Sequence, residues 1–205
     1  MLDDFEPGMD EEKYDAFFAA LKERLVPLIQ KVTKAKQLRE DFLAQSFPVE
    51  EQKKFMEGLL EYLHFDSSWG YQNESEHPFT SWTCENDCRT TTKYIENNVI
   101  SAILSTVHEV GHAYYEHNIN PKYDGMILSE GVSSGMHESQ SRLCENYLGR
   151  TLAFWKYHYP RLQKHFPKQL GEVSLEEFYQ AINVSKPSFI RTEADELTYP
   201  LHVLI

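Results

Sequence analysis

Cysteine is scarce in this chain: Cys84, Cys88 and Cys144 are the only three in 205 residues. An odd count argues against a disulfide framework and reads as reduced thiols in a cytoplasmic protein. Cys84 and Cys88 have no second cysteine pair downstream, which argues against a zinc knuckle. Long apolar runs are also missing; none approaches the about 20 residues of a membrane-spanning helix. Basic residues are few, 20 Lys and Arg against 32 Asp and Glu, for a net charge of −12. Nucleic acid and anionic membrane surfaces are therefore poor partners, since both demand a concentrated positive field. The start, Met1-Leu2-Asp3-Asp4-Phe5-Glu6, is acidic and lacks the basic-then-apolar form of a signal peptide. What remains is a soluble, globular composition: 41% hydrophobic residues and a mean hydropathy of −0.54. At 24.0 kDa it suits one compact domain with a real core.

Against that background His108-Glu109-Val110-Gly111-His112 stands out. The preceding segment, 99–107, is apolar at 99, 100, 103, 104 and 107, which predicts a helix with one buried stripe. On a helix, residues four apart lie one above the other. His108 and His112 therefore present two imidazole nitrogens to one metal ion at about 2.0–2.1 Å. Burying imidazoles on an apolar stripe is costly unless a partner satisfies them, and a metal does so. Glu109 is rotated about 100° from His108. From there it reaches an attacking water without being a ligand, the place of a general base in zinc peptidases.

A catalytic zinc site needs a third protein ligand and an open fourth position. Glu138 is the best candidate. It lies in a second helical run, 134–158, that Pro160 is expected to end, after a loop marked by Pro121, Gly125 and Gly131. His137 competes for the same role, but it points about 100° away from Glu138, so the two are not expected to bind one ion. If not a ligand, His137 is a neighbour that helps orient one. His117 continues the first helix off the His108/His112 face.

The rest reads mainly as helix. Residues 10–42 carry Phe17, Leu21, Leu25, Leu28, Ile29 and Val32 at helical spacing, with Pro27 expected to kink or divide the run. A second helix starts near Pro48 and runs to about Leu63. These two are expected to form an N-terminal helical hairpin, residues 1–65, packed on a metal-binding core, residues 66–205. Residues 79–94 are β-branched and aromatic around a polar turn, which predicts a β-hairpin whose edge can take an extended peptide. Ser174-Leu175-Glu176-Glu177 is a capping box. Another helix start is expected at Thr192, with Arg191 just before it.

Five segments in order carry a resemblance: His77-Pro78-Phe79, Asp87-Cys88-Arg89-Thr90-Thr91, His108–His112, His137-Glu138-Ser139-Gln140 and Ile190-Arg191-Thr192-Glu193-Ala194-Asp195. They resemble the H-P-F, D-x-R-x-T, H-E-x-x-H, H-E-S-Q and I-R-x-x-A-D motifs of the M32, or carboxypeptidase Taq, family of metallocarboxypeptidases. The resemblance implies a mainly α-helical, zincin-like fold with a small hairpin or sheet beside the active-site helix. It implies zinc, replaceable in some members by cobalt or another divalent ion, and removal of single residues from peptides with a free C-terminus. By motif match His108, His112 and Glu138 are the ligands and Glu109 the base. Arg191 is the residue expected to grip the substrate's terminal carboxylate, since a guanidinium fork matches a carboxylate in two places. Arg89 is the second basic candidate. Asp87 and Asp195 are expected to orient a ligand histidine, and His77 and Tyr199 are candidates, beside the ion, for oxyanion support.

The chain departs from that family in length, and the later G-x-x-Q-D-x-H-W motif is absent. Leu201-His202-Val203-Leu204-Ile205 reads as an unfinished apolar helix. With Leu197 it is expected to leave an apolar surface that favours a homodimer or a second chain completing the fold. Two other functions therefore stand beside carboxypeptidase action: an incompetent or split metal-binding protein needing a partner chain, and an H-E-x-x-H endopeptidase with an opened cleft.

Overall fold

The computed structural model describes residues 2–36, 38–84, 86–185 and 196–204. The chain forms two compact units, one of residues 1–38 with 183–205 and one of residues 39–182.

In the first unit a single turn, α1 (Leu2–Phe5), precedes α2 (Glu11–Thr33). Asp10 caps α2, its carboxylate accepting from the Lys13 amide at 2.9 Å, and Glu11 and Glu12 sit favourably in the first turn. The helix passes through Pro27 and ends at Thr33, short of the expected residue 42. None of its residues is fully buried. The 3₁₀ segment Tyr199–Leu204 lies against α2. The apolar end expected as α-helix is therefore a tighter 3₁₀ coil. The helix start expected at Thr192 falls outside the described residues.

The second unit holds the core. It begins before α3 (Val49–Tyr62), so this helix, the expected partner of α2 in a hairpin, belongs to the second unit. Its stripe of Phe55, Met56 and Leu59 is buried beside Phe42 and Phe47. Three strands follow: β1 (Gly70–Glu74), β2 (Thr80–Cys84) and β3 (Asp87–Thr92), in the order β1-β3-β2. β2 and β3 are the expected antiparallel hairpin, with Thr80 opposite Thr90. β1, unexpected from its polar sequence, pairs parallel to β3 with Gly70 opposite Cys88. One edge of the sheet is thus β2. The sheet packs on α4 (Val99–His117), which Asn98 caps through the Ser101 amide. The apolar stripe read from the sequence is buried, with Val99, Ile103 and Val107 each 1% exposed.

A loop over 118–133 returns the chain to α5 (Ser134–Cys144), started by the Ser133 hydroxyl accepting from the Met136 amide. The single helix expected over 134–158 is in fact interrupted. α5 widens into a π turn at Glu145–Gly149, and α6 (Leu152–His165) starts afresh on Thr151, whose hydroxyl accepts from the Phe154 amide. Pro160 lies inside α6, which runs through it to His165; the boundary in this stretch is the N-cap at Thr151. α7 (Pro167–Leu170) and α8 (Leu175–Ile182) close the unit. α8 opens on the expected capping box: Ser174 and Glu177 exchange hydrogen bonds in both directions.

His158 on α6 is wholly buried among the rings of Phe154, Tyr62, Tyr157 and Phe55, at centroid distances of 4.2, 4.5, 4.9 and 6.4 Å. Neither ring nitrogen has a partner among the described residues. Burial, with the Arg161 charge nearby, pushes its pKa from 6.5 down to about 4. The unfolded chain takes up this proton near pH 6.5 and the folded one only near about 4, so acid favours unfolding across that window and His158 has no effect above it. His158→Phe should flatten the stability–pH curve there by roughly 2 kcal/mol, a figure reduced from the full shift for relaxation on protonation. Urea melts of the two proteins between pH 4 and 7 measure it; parallel curves would refute the assignment.

Candidate metal centre

α4 and α5 meet along their length, and their contact builds the site. Gly111, the fourth residue of the H-E-x-x-H segment, makes that contact possible. A Cβ there would lie 2.8 Å from Ser141 Cα, 2.9 Å from the Gln140 carbonyl and 3.0 Å from Cys144 Cβ. With no side chain at 111, Glu138 comes beside the two histidines one turn apart on α4. Glu138 Oε2 lies 3.6 Å from His108 Nε2 and 3.4 Å from His112 Nε2. A tetrahedral ion with bonds of about 2.0–2.1 Å keeps its ligand atoms roughly 3.3–3.4 Å apart. The two Glu138–histidine distances lie close to that spacing, and all three donors fall within 4.8 Å of one another. The histidine side chains are 16% and 17% exposed and Glu138 39%, so the cluster opens to solvent on the Glu138 side, where a fourth position belongs.

The surroundings prepare these donors. Burial pushes the Glu138 carboxyl up. Contact with the His112 ring, the His108 charge and Arg142 more than reverse this and hold it at about 2. It is therefore an anion at neutral pH. Arg142 Nε donates to its other oxygen at 3.0 Å, and the Ser141 hydroxyl lies 3.1 Å from Oε2. Glu145, the first residue of the π turn, reaches His108 Nδ1 at 2.9 Å. It also accepts from Arg142 Nη1 at 3.1 Å and faces Arg150 Nη2 at 3.5 Å. Burial lowers the His108 pKa, yet the Glu145 hydrogen bond and the charges of Glu138, Glu145 and Glu109 raise it overall. Glu145 in turn sits below its ordinary value despite burial, held by His108 and the two arginines. A carboxylate on Nδ1 fixes a ligand histidine's ring and leaves Nε2 for the ion.

Glu109 is 6% exposed. Thr80, at the start of the edge strand β2, places its hydroxyl 2.6 Å from Glu109 Oε2 and 2.9 Å from the Glu109 carbonyl. A strand thereby holds the carboxylate beside the metal donors without making it one of them.

The whole chain, residues 1–205, matches the model of the carboxypeptidase Taq (M32) metallopeptidases. The chain belongs to the M32 family. It is 45% identical over its full length to carboxypeptidase 1 of Bacillus subtilis, and 41% identical to thermostable carboxypeptidase 1 of Thermus thermophilus. It spans only 41% and 40% of those relatives' own lengths. The crystal structure of an M32 carboxypeptidase from Deinococcus radiodurans superposes with a TM-score of 0.93 at 42% identity, covering 98% of this chain and 41% of that one. The mainly helical fold with a small sheet beside the H-E-x-x-H helix is thus an M32 fold, and membership implies a divalent metal that the His108, His112 and Glu138 donors suit.

Other residues singled out in the sequence fall elsewhere. His137 is not among the three converging donors; both of its ring nitrogens are engaged, with His112 Nδ1 and with Glu116. Asp87 and Arg89 hold each other on β3 through two hydrogen bonds of 2.8 and 2.9 Å. The Nδ1 atoms of the two ligand histidines face Glu145 and His137, not Asp87. His77 is exposed in the loop between β1 and β2, where its carbonyl accepts from Ser75. Tyr199 lies in the first unit, half-buried. Arg191 and Asp195 lie outside the described residues. Thr80, Glu116 and Glu145 were missed. For Glu145 a signal existed: Glu138, Ser141, Arg142 and Glu145 recur at helical spacing on one face.

Proposed function

We propose that this chain carries the metal centre of a zinc-dependent carboxypeptidase, removing single residues from the free C-terminus of peptides. One observation carries the reading: two imidazoles and an anionic carboxylate converge within 4.8 Å of one another, with a further buried glutamate beside them. A two-histidine, one-glutamate donor set suits zinc, with cobalt or another divalent ion as a substitute. Such an ion, when bound, supplies Lewis acidity to the scissile carbonyl and makes a water easier to deprotonate.

The chain's own residues do the rest. Glu109 takes a proton from the attacking water and returns it to the leaving amide nitrogen, so hydrolysis needs no other proton donor. Thr80 keeps that carboxylate in place. β2, an edge strand against α4, offers main-chain groups to an extended peptide. Arg191, by its match to the I-R-x-x-A-D motif, is the candidate for the substrate's terminal carboxylate, and Arg89 is paired with Asp87. The three cysteines are free thiols, which supports a cytoplasmic location. Among the described residues no helix is long and apolar enough to cross a membrane.

Elemental analysis and peptide digestion test it together. One zinc-class ion per chain is expected, with stepwise loss of C-terminal residues from a free-acid peptide and none from its amidated twin. Cleavage of both peptides at internal bonds would make the protein an endopeptidase. Full metal content with neither peptide cut would make it a metal-binding protein that needs a partner chain.

A further inference from the structure

We propose that Glu116 and His137 form a two-step relay that sets which ring nitrogen of His112 carries its hydrogen, and so presents the bare Nε2 to the metal. The inference rests on the metal-centre reading above but concerns groups beyond the ligands. Glu116 follows His112 by one turn on α4 and is 7% exposed. Its Oε1 receives His137 Nε2 at 2.7 Å and the Gly131 amide at 3.1 Å. Its Oε2 has no partner among the described residues. A buried carboxylate with half its capacity unused is costly, and an apolar residue of similar size would cost less. A carboxyl group buried at 116 therefore calls for a reason other than packing.

Proton order supplies one. A carboxylate only accepts. His137 must then carry its hydrogen on Nε2, and a neutral His137 presents a lone pair at Nδ1. That Nδ1 lies 2.7 Å from His112 Nδ1, so the latter is the donor. His112 is left with a lone pair on Nε2; Glu138 Oε2, 3.4 Å away, is an acceptor that opposes this order in the metal-free chain, at a longer distance than the two 2.7 Å links that favour it. These tautomers are assigned from the hydrogen-bond network. His108 reaches the same state in one step, directly from Glu145. The loop is shaped to fit the relay. A Cβ at Gly131 would lie 2.8 Å from His137 Cδ2 and 3.1 Å from Glu116 Oε1, and the Tyr115 ring packs edge-on against His137 with centroids 5.1 Å apart. His137 and Glu116 are positioning residues; neither is a ligand.

The test pairs ¹⁵N-histidine NMR of the metal-free full chain, at about pH 8 where free imidazole is neutral, with titration by Co²⁺ alone. His112 in the wild type should appear as the Nδ1–H form. His137→Asn puts an amide oxygen where Nδ1 was; it should keep that form and bind Co²⁺ within a few-fold of wild type. His137→Phe offers no acceptor. It should shift His112 towards Nε2–H and weaken Co²⁺ binding by about 10–100-fold, with a changed visible spectrum. An Nε2–H His112 in the wild type overturns the relay, and so does a His137→Phe protein with unchanged tautomer and affinity. A wild type that takes up no Co²⁺ sinks the metal reading instead, while its tautomer still decides the relay.

Discussion

Glu109→Gln is expected to retain full metal content and to lose peptide hydrolysis by about 10²–10⁴-fold, the usual cost of losing a general base. Glu109 is not one of the three converging donors, so its replacement leaves His108, His112 and Glu138 as they are. The amide keeps the shape of the carboxylate, and its oxygen can still accept from Thr80, now 2.6 Å from Oε2. It cannot take a proton from water. Loss of activity with structure and metal intact therefore isolates proton transfer from ligation. Metal analysis alongside initial rates on a free-acid peptide provides the measurement. Unchanged turnover in a metal-replete variant would remove Glu109 from the mechanism.

Gly111→Ala should damage the same site by a different route. The added methyl would stand 2.8 Å from a backbone carbon of α5 and 2.9 Å from a backbone oxygen, neither of which can swing aside as a side-chain tip does. The two helices must part, and overpacking of this kind costs about 1–3 kcal/mol. The distinctive consequence is on the metal, because α4 carries two donors and α5 the third. Separating the helices draws Glu138 off both histidines, and metal affinity should fall by roughly 10-fold or more as the site tends towards two ligands. Gly149→Ala is the control. It lies in the π turn against α4, but its Cβ would meet side-chain tips of Leu104 and Val107 at 3.3 and 3.4 Å and the Cys144 carbonyl at 3.5 Å, an ordinary contact. Zinc titration and thermal melts of both variants compare them. Equal, unimpaired zinc binding would show that Gly111 does not set the donor spacing.

Much of this protein was legible from local patterns. The His108–His112 spacing, the stripe leading into it and the Ser174 capping box depend only on residues within two turns of one another. The fixed helical period turns that spacing into geometry without reference to the rest of the chain. The β2–β3 hairpin was readable for the same reason, its strands being joined by a short polar turn. Even Glu138 was reachable, because proline and glycine marked the loop that brings a second helix back. The helix break at Thr151 was not. Pro160 is the stronger written signal, yet an N-cap nine residues earlier had already restarted the helix.

What only the tertiary structure decided is everything held by partners distant in the chain. β1 reads as a polar stretch, and becomes a strand because β3 pairs with it in parallel. Glu145 lies 37 residues from His108, Thr80 lies 29 from Glu109, and Glu116 lies 21 from His137. Each is an ordinary residue until packing sets it against its partner. The candidate donors were therefore legible in the sequence, His108 and His112 through helical periodicity and Glu138 through the loop signals that precede its helix. Their convergence and the placing of Glu109 beside Thr80 were set by the α4–α5 contact at Gly111 and by the strand laid against α4, since hydrogen bonds between remote segments form only after the core has brought those segments together.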